Sequence, residues 1–236
     1  MDCQQDWQTL FGSDDEDYDM DTTTTATTLT RSKEFVDIQV ETIEQIPGLR
    51  LWRNALDHTQ QIALIQAITD HNIFGQGNQA MRFGQLGPEL ENLATWIYDH
   101  HLLPSHLSHR VPLFDQAIYN FYNKGEGIIS HVDLAKFDDG IVILSLLSSC
   151  CMTMKPTTNP QQAIHQGYLQ QQEQELDERS IDIILRPGDV LMLSGPSRYL
   201  WEHGIAERDI DLVGEEIIVR GTRISVTLRK LLPIDS

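Results

Sequence analysis

The chain has 236 residues, 40% of them hydrophobic, and a formal charge of −18 at pH 7. This length suits one large domain or two small ones. No apolar run approaches 18 residues, which excludes a transmembrane helix by hydropathy, and the acidic balance argues against broad phosphate-mediated binding of nucleic acid. The N-terminus lacks a secretory pattern, and the three cysteines form no disulfide framework. We expect a soluble intracellular monomer, cytoplasmic, nuclear or both, that does not associate with membranes.

Residues 1–45 are predicted to form a disordered, acidic, threonine-rich tail. They hold twelve acidic residues against Arg31 and Lys33, a charge of −10 that leaves −8 for the rest of the chain. An acidic run at residues 13–19 and a threonine run at residues 22–28 have little to bury. The segment from Asp6 to Phe11 is interpreted either as part of a solubilising tail or as a short binding site for a protein partner.

Residues 46–236 are predicted to form one mainly β domain. Amphipathic helices are predicted over residues 57–68 and 89–98, with a polar, glycine-punctuated loop at residues 75–84 between them. Short runs rich in β-branched and aromatic residues then predict strands at 116–122, 127–131, 141–147, 180–185, 190–193, 201–206, 216–220 and 223–228. This order favours an α+β fold in which N-terminal helices pack on one face of a double-stranded β-helix, or jelly-roll, core.

Several other residues with metal or redox chemistry have ordinary interpretations. Cys150 and Cys151 could form a redox pair, but they lack C-x-x-C spacing, so we favour two small buried residues at the end of a strand. The histidines at positions 100, 101, 106 and 109 have no cysteine or carboxylate beside them at ligand spacing, so surface positions are expected. His165 lies in a glutamine-rich insertion, residues 157–174, which is expected to be a long exposed loop.

The segment at residues 129–133 carries two candidate metal ligands. If it is a strand, His131 and Asp133 project to the same face and offer a nitrogen and an oxygen to one point. His203, from the distant segment 197–205, would complete two histidines and one carboxylate, the arrangement typical of non-haem Fe(II) oxygenases. An isolated His-x-Asp triplet also occurs by chance, so the hypothesis needs support from other segments.

Two further predicted strands supply that support. Asn120 and Tyr122 share a strand face and can hydrogen-bond an oxygen-rich small molecule. Near the C-terminus, Arg223, Ser225 and Arg229 alternate with apolar residues, which places them along a common groove. Arginine is well suited to clamp a carboxylate through paired hydrogen bonds. The alternative interpretation is an edge strand whose charges are solvated.

These motifs together resemble those of the AlkB family of Fe(II)- and 2-oxoglutarate-dependent dioxygenases. The resemblance covers residues 46–232. It is strongest from Asn120 onward, and is carried by Asn120-x-Tyr122, His131-x-Asp133, the run at residues 195–198 before His203, and two arginines six residues apart. It implies Fe(II), 2-oxoglutarate and O2 as cofactor and co-substrates.

The resemblance also implies specific roles. It implies an iron site formed by His131, Asp133 and His203. It implies a 2-oxoglutarate site formed by Asn120, Tyr122, Arg223, Ser225 and Arg229. In that site Arg223 and Tyr122 hold the distal carboxylate, and Arg229 lies near the metal-bound end. The loop at residues 78–84 is implied to cover the mouth of the site, with Met81 and Arg82 contacting a base drawn out of its stack.

Ser225 departs from the family pattern, because the DNA-repair branch often has asparagine there. The segments 197–205 and 220–225 are most similar to the branch that hydroxylates a modified wobble uridine in tRNA. That branch also carries an RNA-recognition domain and a methyltransferase domain, for which this chain has no room.

Three functions follow as hypotheses. The first is a dioxygenase that oxidatively demethylates or hydroxylates a modified base in RNA, tRNA or alkylated DNA, with release of succinate and CO2. The second is a dioxygenase that acts on a protein side chain or a small molecule, which the negative charge favours. The third is a non-enzymatic interaction module whose metal is structural or missing. It is disfavoured because every ligand position is filled.

Overall fold

The computed structural model of the protein describes residues 40–158 and 180–233. The predictions for most of the acidic tail and of the glutamine-rich insertion lie outside these residues. The helices within them are α1 (His58–Asp70), α2 (Pro88–Asp99) and the single-turn α3 (Pro196–Tyr199), with a 3₁₀ turn at Ser105–Leu107. The strands are β1 (Val40–Thr42), β2 (Leu49–Trp52), β3 (Gln79–Phe83), β4 (Gln116–Tyr122), β5 (Ile128–His131), β6 (Ile141–Leu146), β7 (Cys150–Pro156), β8 (Ile181–Leu185), β9 (Val190–Leu193), β10 (Trp201–Ile205), β11 (Ile210–Val213), β12 (Glu216–Val219) and β13 (Arg223–Arg229).

The described structure is built around two antiparallel sheets. The larger has the strand order β1-β2-β9-β6-β13-β4-β3, and the smaller has the order β5-β10-β7-β8. β11 and β12 form a separate hairpin. The prediction of a mainly β chain with few helices is therefore confirmed.

The hydrophobic core lies between the two sheets. Leu51 of β2, in the larger sheet, belongs to the same buried cluster as Met152 of β7 and Trp201 of β10 in the smaller one. Each apolar side chain buried in this way contributes about 1.5–3 kcal/mol. Cys150 and Cys151 are both buried free thiols, as predicted, although they begin a strand and do not end one.

The two long helices lie where the hydrophobic periodicity predicts them. Asp57 and Gln60 form a capping box at the start of α1, in which each side chain accepts a hydrogen bond from the other residue's backbone N–H. Phe74, which follows α1, packs edge-on against Tyr119 and Phe121 of β4 with ring centroids 6.5 and 5.7 Å apart. No helix in the described part of the chain has the length and apolarity to span a bilayer.

The structure differs from the sequence prediction at several strands. β1 begins at Val40, inside the predicted tail, and pairs with β2. Residues 79–83, for which the sequence predicts a loop, form the edge strand β3 and pair with β4 from Gln79 to Phe83. β2, β7 and β11 are also additional to the predicted strands. Polar edge strands are held by backbone pairing with a neighbour, and composition alone does not reveal that pairing.

Candidate active site

A cavity of about 310 Å³ opens between the two sheets. Arg223, Ser225, Thr227 and Arg229 line it from β13, as the alternation of that strand predicts. β13 lies between β4 and β6, and all seven of its residues are buried. The alternative interpretation of a solvated edge strand is therefore wrong.

Three potential metal ligands converge on the wall of this cavity. One donor atom from each of His131, Asp133 and His203 lies within 4.8 Å of the others. His131 on β5 and His203 on β10 are direct cross-strand partners, with ring centroids 4.5 Å apart. Gly204 permits this close pairing, because a Cβ at that position would lie 2.8 Å from the Cα atom of Ser130.

Asp133 joins the cluster from a loop, whereas the sequence predicts that it lies on the same strand as His131. β5 ends at His131, so Asp133 lies in the following loop and not on the strand. The chain can leave the sheet here because Arg198 donates hydrogen bonds to the carbonyl oxygens of Asp133 and Leu134, at 3.0 and 2.9 Å. The carboxylate still faces the histidines, with Oδ2 of Asp133 3.7 Å from Nε2 of His203.

Both imidazoles are set up to present a lone pair. Nδ1 of His131 lies 2.8 Å from the carbonyl oxygen of Ile129, which can only accept, so Nδ1 carries the proton and Nε2 is free to bind. Burial lowers the pKa of His203 to about 4, although the Asp133 carboxylate opposes the shift. His203 is therefore neutral at pH 7, and neutral imidazole is the form that binds metal.

A family model described as the 2OG-Fe(II) oxygenase superfamily matches residues 110–229, which include all three residues of the cluster. The chain belongs to this superfamily. Curated relatives include the "Alkylated DNA repair protein ALKBH8 homolog" of Arabidopsis thaliana, 34% identical over 121 residues, and the "tRNA (carboxymethyluridine(34)-5-O)-methyltransferase ALKBH8" of Macaca fascicularis, 31% identical over 134 residues. Each match covers 50% of this chain but only 34% and 17% of those proteins.

Two further comparisons extend the AlkB relationship. The "Alpha-ketoglutarate-dependent dioxygenase alkB homolog 7, mitochondrial" of Mus musculus is 32% identical over 102 residues, which are 43% of this chain and 38% of that protein. The solved structure of OsALKBH1 superposes with a TM-score of 0.53 over 81% of this chain and all of that one, at 16% identity. At this identity the superposition shows the fold alone. The AlkB resemblance, and with it the superfamily's Fe(II), 2-oxoglutarate and O2, is confirmed at the family level.

The donor set of this oxygenase fits Fe(II). Burial opposes ionisation of Asp133, but the charged guanidinium groups of Arg229 and Arg198 outweigh it and hold the pKa of Asp133 below its usual value. Nη1 of Arg229 donates to Oδ1 of Asp133 at 2.6 Å, which leaves Oδ2 directed toward the histidines. Two neutral imidazoles and one carboxylate are the ligands that non-haem Fe(II) takes in oxygenases.

The cavity also fits a dicarboxylate. Nε of Arg223 donates to the Ser145 hydroxyl at 2.9 Å, whereas Nη2 of Arg223 is buried with no hydrogen-bond partner. The guanidinium lies 5.3 Å from the ring centroid of Tyr122, whose pKa is raised by burial, so its hydroxyl stays protonated. A buried donor without a partner is costly, and a carboxylate oxygen would satisfy it. Asn120 and Ser225, which pair across β4 and β13, line the same cavity.

The two residues predicted to contact a substrate base lie on opposite faces of β3. Met81 pairs with the cavity-lining Ile118, so it projects toward the cavity side, where it is 54% exposed. Arg82 pairs with Ala117 and projects to the other face, near Tyr119. Arg82 therefore lies away from the cavity, because the register of β3 with β4 decides which side each residue faces.

Two residues beside the site have contacts that the sequence does not reveal. Asp139 and Arg198 are both buried and join the segments that carry Asp133 and His203. The sequence signal for Arg198 is a charged residue placed directly before an apolar run. The histidines at positions 100, 101, 106 and 109 are exposed as predicted, and the described residues contain no second cluster of three potential metal ligands.

Proposed function

We propose that the protein is an Fe(II)- and 2-oxoglutarate-dependent dioxygenase that demethylates or hydroxylates a modified nucleic-acid base. One observation carries the proposal: the donor atoms of His131, Asp133 and His203 meet within 4.8 Å, on a cavity that also contains the unpaired Nη2 of Arg223. A metal cluster beside a carboxylate-binding arginine is what this chemistry requires.

The residues divide into two groups by role. His131, Asp133 and His203 would hold the iron. Arg223 and Tyr122 would bind the distal carboxylate of 2-oxoglutarate, with Asn120 and Ser225 beside it and Arg229 near the metal-bound end. When bound, iron and 2-oxoglutarate supply an O2-dependent oxidation of a C–H bond, with succinate and CO2 as products.

The chain's own side chains prepare the site for this reaction. Arg229 holds Asp133 ionised and fixes one of its oxygens, while the hydrogen bond to Ile129 fixes the tautomer of His131. Apolar residues, among them Ile143 and Met152, form part of the cavity wall. Arg223 itself is buried, and a buried, preorganised guanidinium interacts more strongly with a carboxylate than an exposed one does.

Support for a nucleic-acid substrate comes from the rim of the cavity and from the names of relatives. Met81, Phe83 and Leu134 are 54%, 52% and 56% exposed, a high fraction for large apolar side chains. Lys136 lies beside Phe83, with Nζ 6.0 Å from its ring centroid. Bases stack on such surfaces and lysines pair with phosphates. The names of two relatives refer to alkylated DNA and to tRNA.

A protein or small-molecule substrate is the second candidate. The observation that favours it is the formal charge of −18, which repels a polyanion. Turnover of a nucleic acid should fall steeply as salt rises, whereas turnover of a neutral substrate should not. Assays at two salt concentrations therefore separate the two candidates.

We further propose that the two sheets form a double-stranded β-helix with α1 and α2 on the outer face of the larger sheet. Support comes from the buried cluster shared by the sheets and from the contacts of Phe74 with Tyr119 and Phe121.

The test of function is a turnover assay with purified protein, Fe(II), ascorbate, 2-oxoglutarate and O2. We expect succinate, together with formaldehyde or a hydroxylated base, from methylated oligonucleotides or tRNA. The His203→Ala variant should be inactive, and the matched control His109→Ala, at an exposed histidine outside the cluster, should retain activity. Equal activity of His203→Ala and the intact protein would contradict the proposed iron site. Product from peptides or small molecules alone would favour the second candidate.

A further inference from the structure

The candidate metal ligands come from two segments that are distant in sequence and are joined by hydrogen bonds. One is the loop that contains Asp133, and the other is the segment that leads into His203. Asp139, at the end of the first segment, accepts hydrogen bonds from the Ser194 hydroxyl at 2.9 Å and from the Gly195 backbone N–H at 2.8 Å. Asp139 is only 5% exposed, so these bonds are shielded from water.

Arg198, in the second segment, donates hydrogen bonds to the first. Nη1 donates to the carbonyl oxygen of Asp133 at 3.0 Å, and Nη2 donates to those of Leu134 and Phe137 at 2.9 and 3.0 Å. The guanidinium is 1% exposed and packs on the ring of Tyr199, 4.8 Å from its centroid. One side chain therefore ties down three carbonyl groups of the loop, including that of the ligand residue itself.

We propose that Arg198 is a positioning residue for the metal site. Its guanidinium fixes the backbone at residues 133–137, and this sets the distance between the Asp133 carboxylate and His203 before a metal binds. The inference rests on the proposed iron site and adds a cause for its geometry. Arg198 stands five residues before His203, so the bonds it makes couple the two ligand segments directly.

The chemistry of arginine suits this task better than that of lysine. The guanidinium is a planar fork with donors at fixed separations, and it can reach three carbonyl groups at once. Lysine keeps the charge but presents its donors from a single point. The electrostatic effect on Asp133 would survive an Arg198→Lys change, while the fixed geometry of the loop would be lost. Comparison of Arg198→Lys with Arg198→Met, which removes the charge as well, therefore separates the effect of the charge from that of the fixed geometry.

The experiment measures Fe(II) affinity under argon by equilibrium dialysis for the intact protein, Arg198→Met and Arg198→Lys. Arg53→Met is the matched control. Like Arg198, Arg53 donates a hydrogen bond to a backbone carbonyl, and it also binds the buried Asp189 carboxylate. It follows β2, which lies next to the edge strand β1 and contributes no residue to the metal cluster. Thermal unfolding without metal is recorded for all four proteins, and Co(II) absorption spectra report the coordination geometry. Loss of an interaction that orients a metal ligand typically weakens binding about 10- to 100-fold.

We expect both Arg198 variants to lose about 10- to 100-fold in Fe(II) affinity and to change the Co(II) spectrum. Arg53→Met should keep the Fe(II) affinity and the Co(II) spectrum of the intact protein, even if its unfolding temperature falls as much as that of the Arg198 variants. Should Arg198→Met fail to fold, Arg198→Lys decides the matter by the same measurement. Intact affinity in the Arg198 variants, or full restoration by lysine, overturns the inference. Failure of the intact protein to bind Fe(II) contradicts the iron site itself.

Discussion

Nη1 of Arg229 and Oδ1 of Asp133 are joined by a 2.6 Å hydrogen bond, buried between β13 and the loop that follows β5. This pair connects the strand that lines the cavity with the loop that carries a candidate iron ligand. Because both partners are buried, neither charge can be solvated by water if the other is removed.

Arg229→Met should destabilise the metal-free protein, because it leaves Asp133 without its direct ion-pair partner. Removal of one member of a buried pair typically costs about 3–5 kcal/mol. Arg186→Met is the control, since the pair of Arg186 with Glu216 is largely exposed and such pairs contribute about 0–1 kcal/mol. Urea unfolding of both variants measures the difference. Equal losses of stability would contradict the importance assigned to the buried pair.

Arg223→Met should raise the KM for 2-oxoglutarate and leave Fe(II) affinity unchanged, because Arg223 lies outside the metal cluster. A hydrogen bond to a charged group contributes about 1.5–3 kcal/mol, which corresponds to about 10- to 100-fold in KM. Steady-state succinate release at varied 2-oxoglutarate gives the KM, and dialysis gives the metal affinity. A parallel loss of Fe(II) affinity would show that Arg223 acts on the whole site and not on the co-substrate.

Met81→Ala and Phe83→Ala should weaken binding of an oligonucleotide, whereas Arg82→Ala should not. The first two side chains are exposed on the face of β3 that carries Gln79, a cavity-lining residue. Phe83 can stack on a base, a contact worth about 1–3 kcal/mol, and Met81 can pack beside it. Arg82 lies between them in sequence but on the other face of β3. Fluorescence anisotropy with a labelled single strand measures the affinities. Weaker binding in Arg82→Ala alone would indicate that β3 takes a different register in the complex.

Asp211 should give the protein stability that depends on pH. Burial opposes its ionisation, but hydrogen bonds from Arg220, the Cys151 backbone N–H and Arg208 outweigh burial and lower the pKa of Asp211. A lowered folded-state pKa means that the stabilisation is fully present above the unfolded value, near 4, and is lost as pH falls through the folded value.

Asp211→Asn should therefore have a lower free energy of unfolding than the intact protein at pH 7. The difference between the two free energies should become smaller below about pH 4. Chemical unfolding at pH 7 and pH 3 measures this difference. Glu216→Gln, which changes a largely exposed carboxylate, serves as the control and should show little effect at either pH. If the difference in free energy of unfolding between Asp211→Asn and the intact protein is the same at both pH values, the charge of Asp211 does not stabilise the fold.

The sequence predicts the parts of the site that depend on local pattern. Alternation along β13 is a property of any strand, so it correctly places Arg223, Ser225 and Arg229 on one face. The pairing of His131 with His203 depends on the strand register, which the sequence does not show. The motif order nevertheless indicates that they meet.

Other features depend on contacts between distant segments. The face of Arg82 is decided by pairing with β4, and the position of Asp133 in a loop is stabilised by hydrogen bonds from Arg198. β1 is short and exposed, so it has no hydrophobic pattern to detect, and its pairing with β2 defines it as a strand. Such features follow from tertiary packing and not from local propensity.

The central claim is that His131, Asp133 and His203 bind iron and that iron then recruits 2-oxoglutarate beside Arg223. Anaerobic titration calorimetry tests it most directly, because it needs no nucleic-acid substrate. We predict that 2-oxoglutarate binds the Fe(II)-loaded protein, and that both Fe(II) and 2-oxoglutarate binding are lost in His203→Ala but kept in His109→Ala. Equal binding of Fe(II) and 2-oxoglutarate by His203→Ala and the intact protein, or no binding by either, would contradict the account.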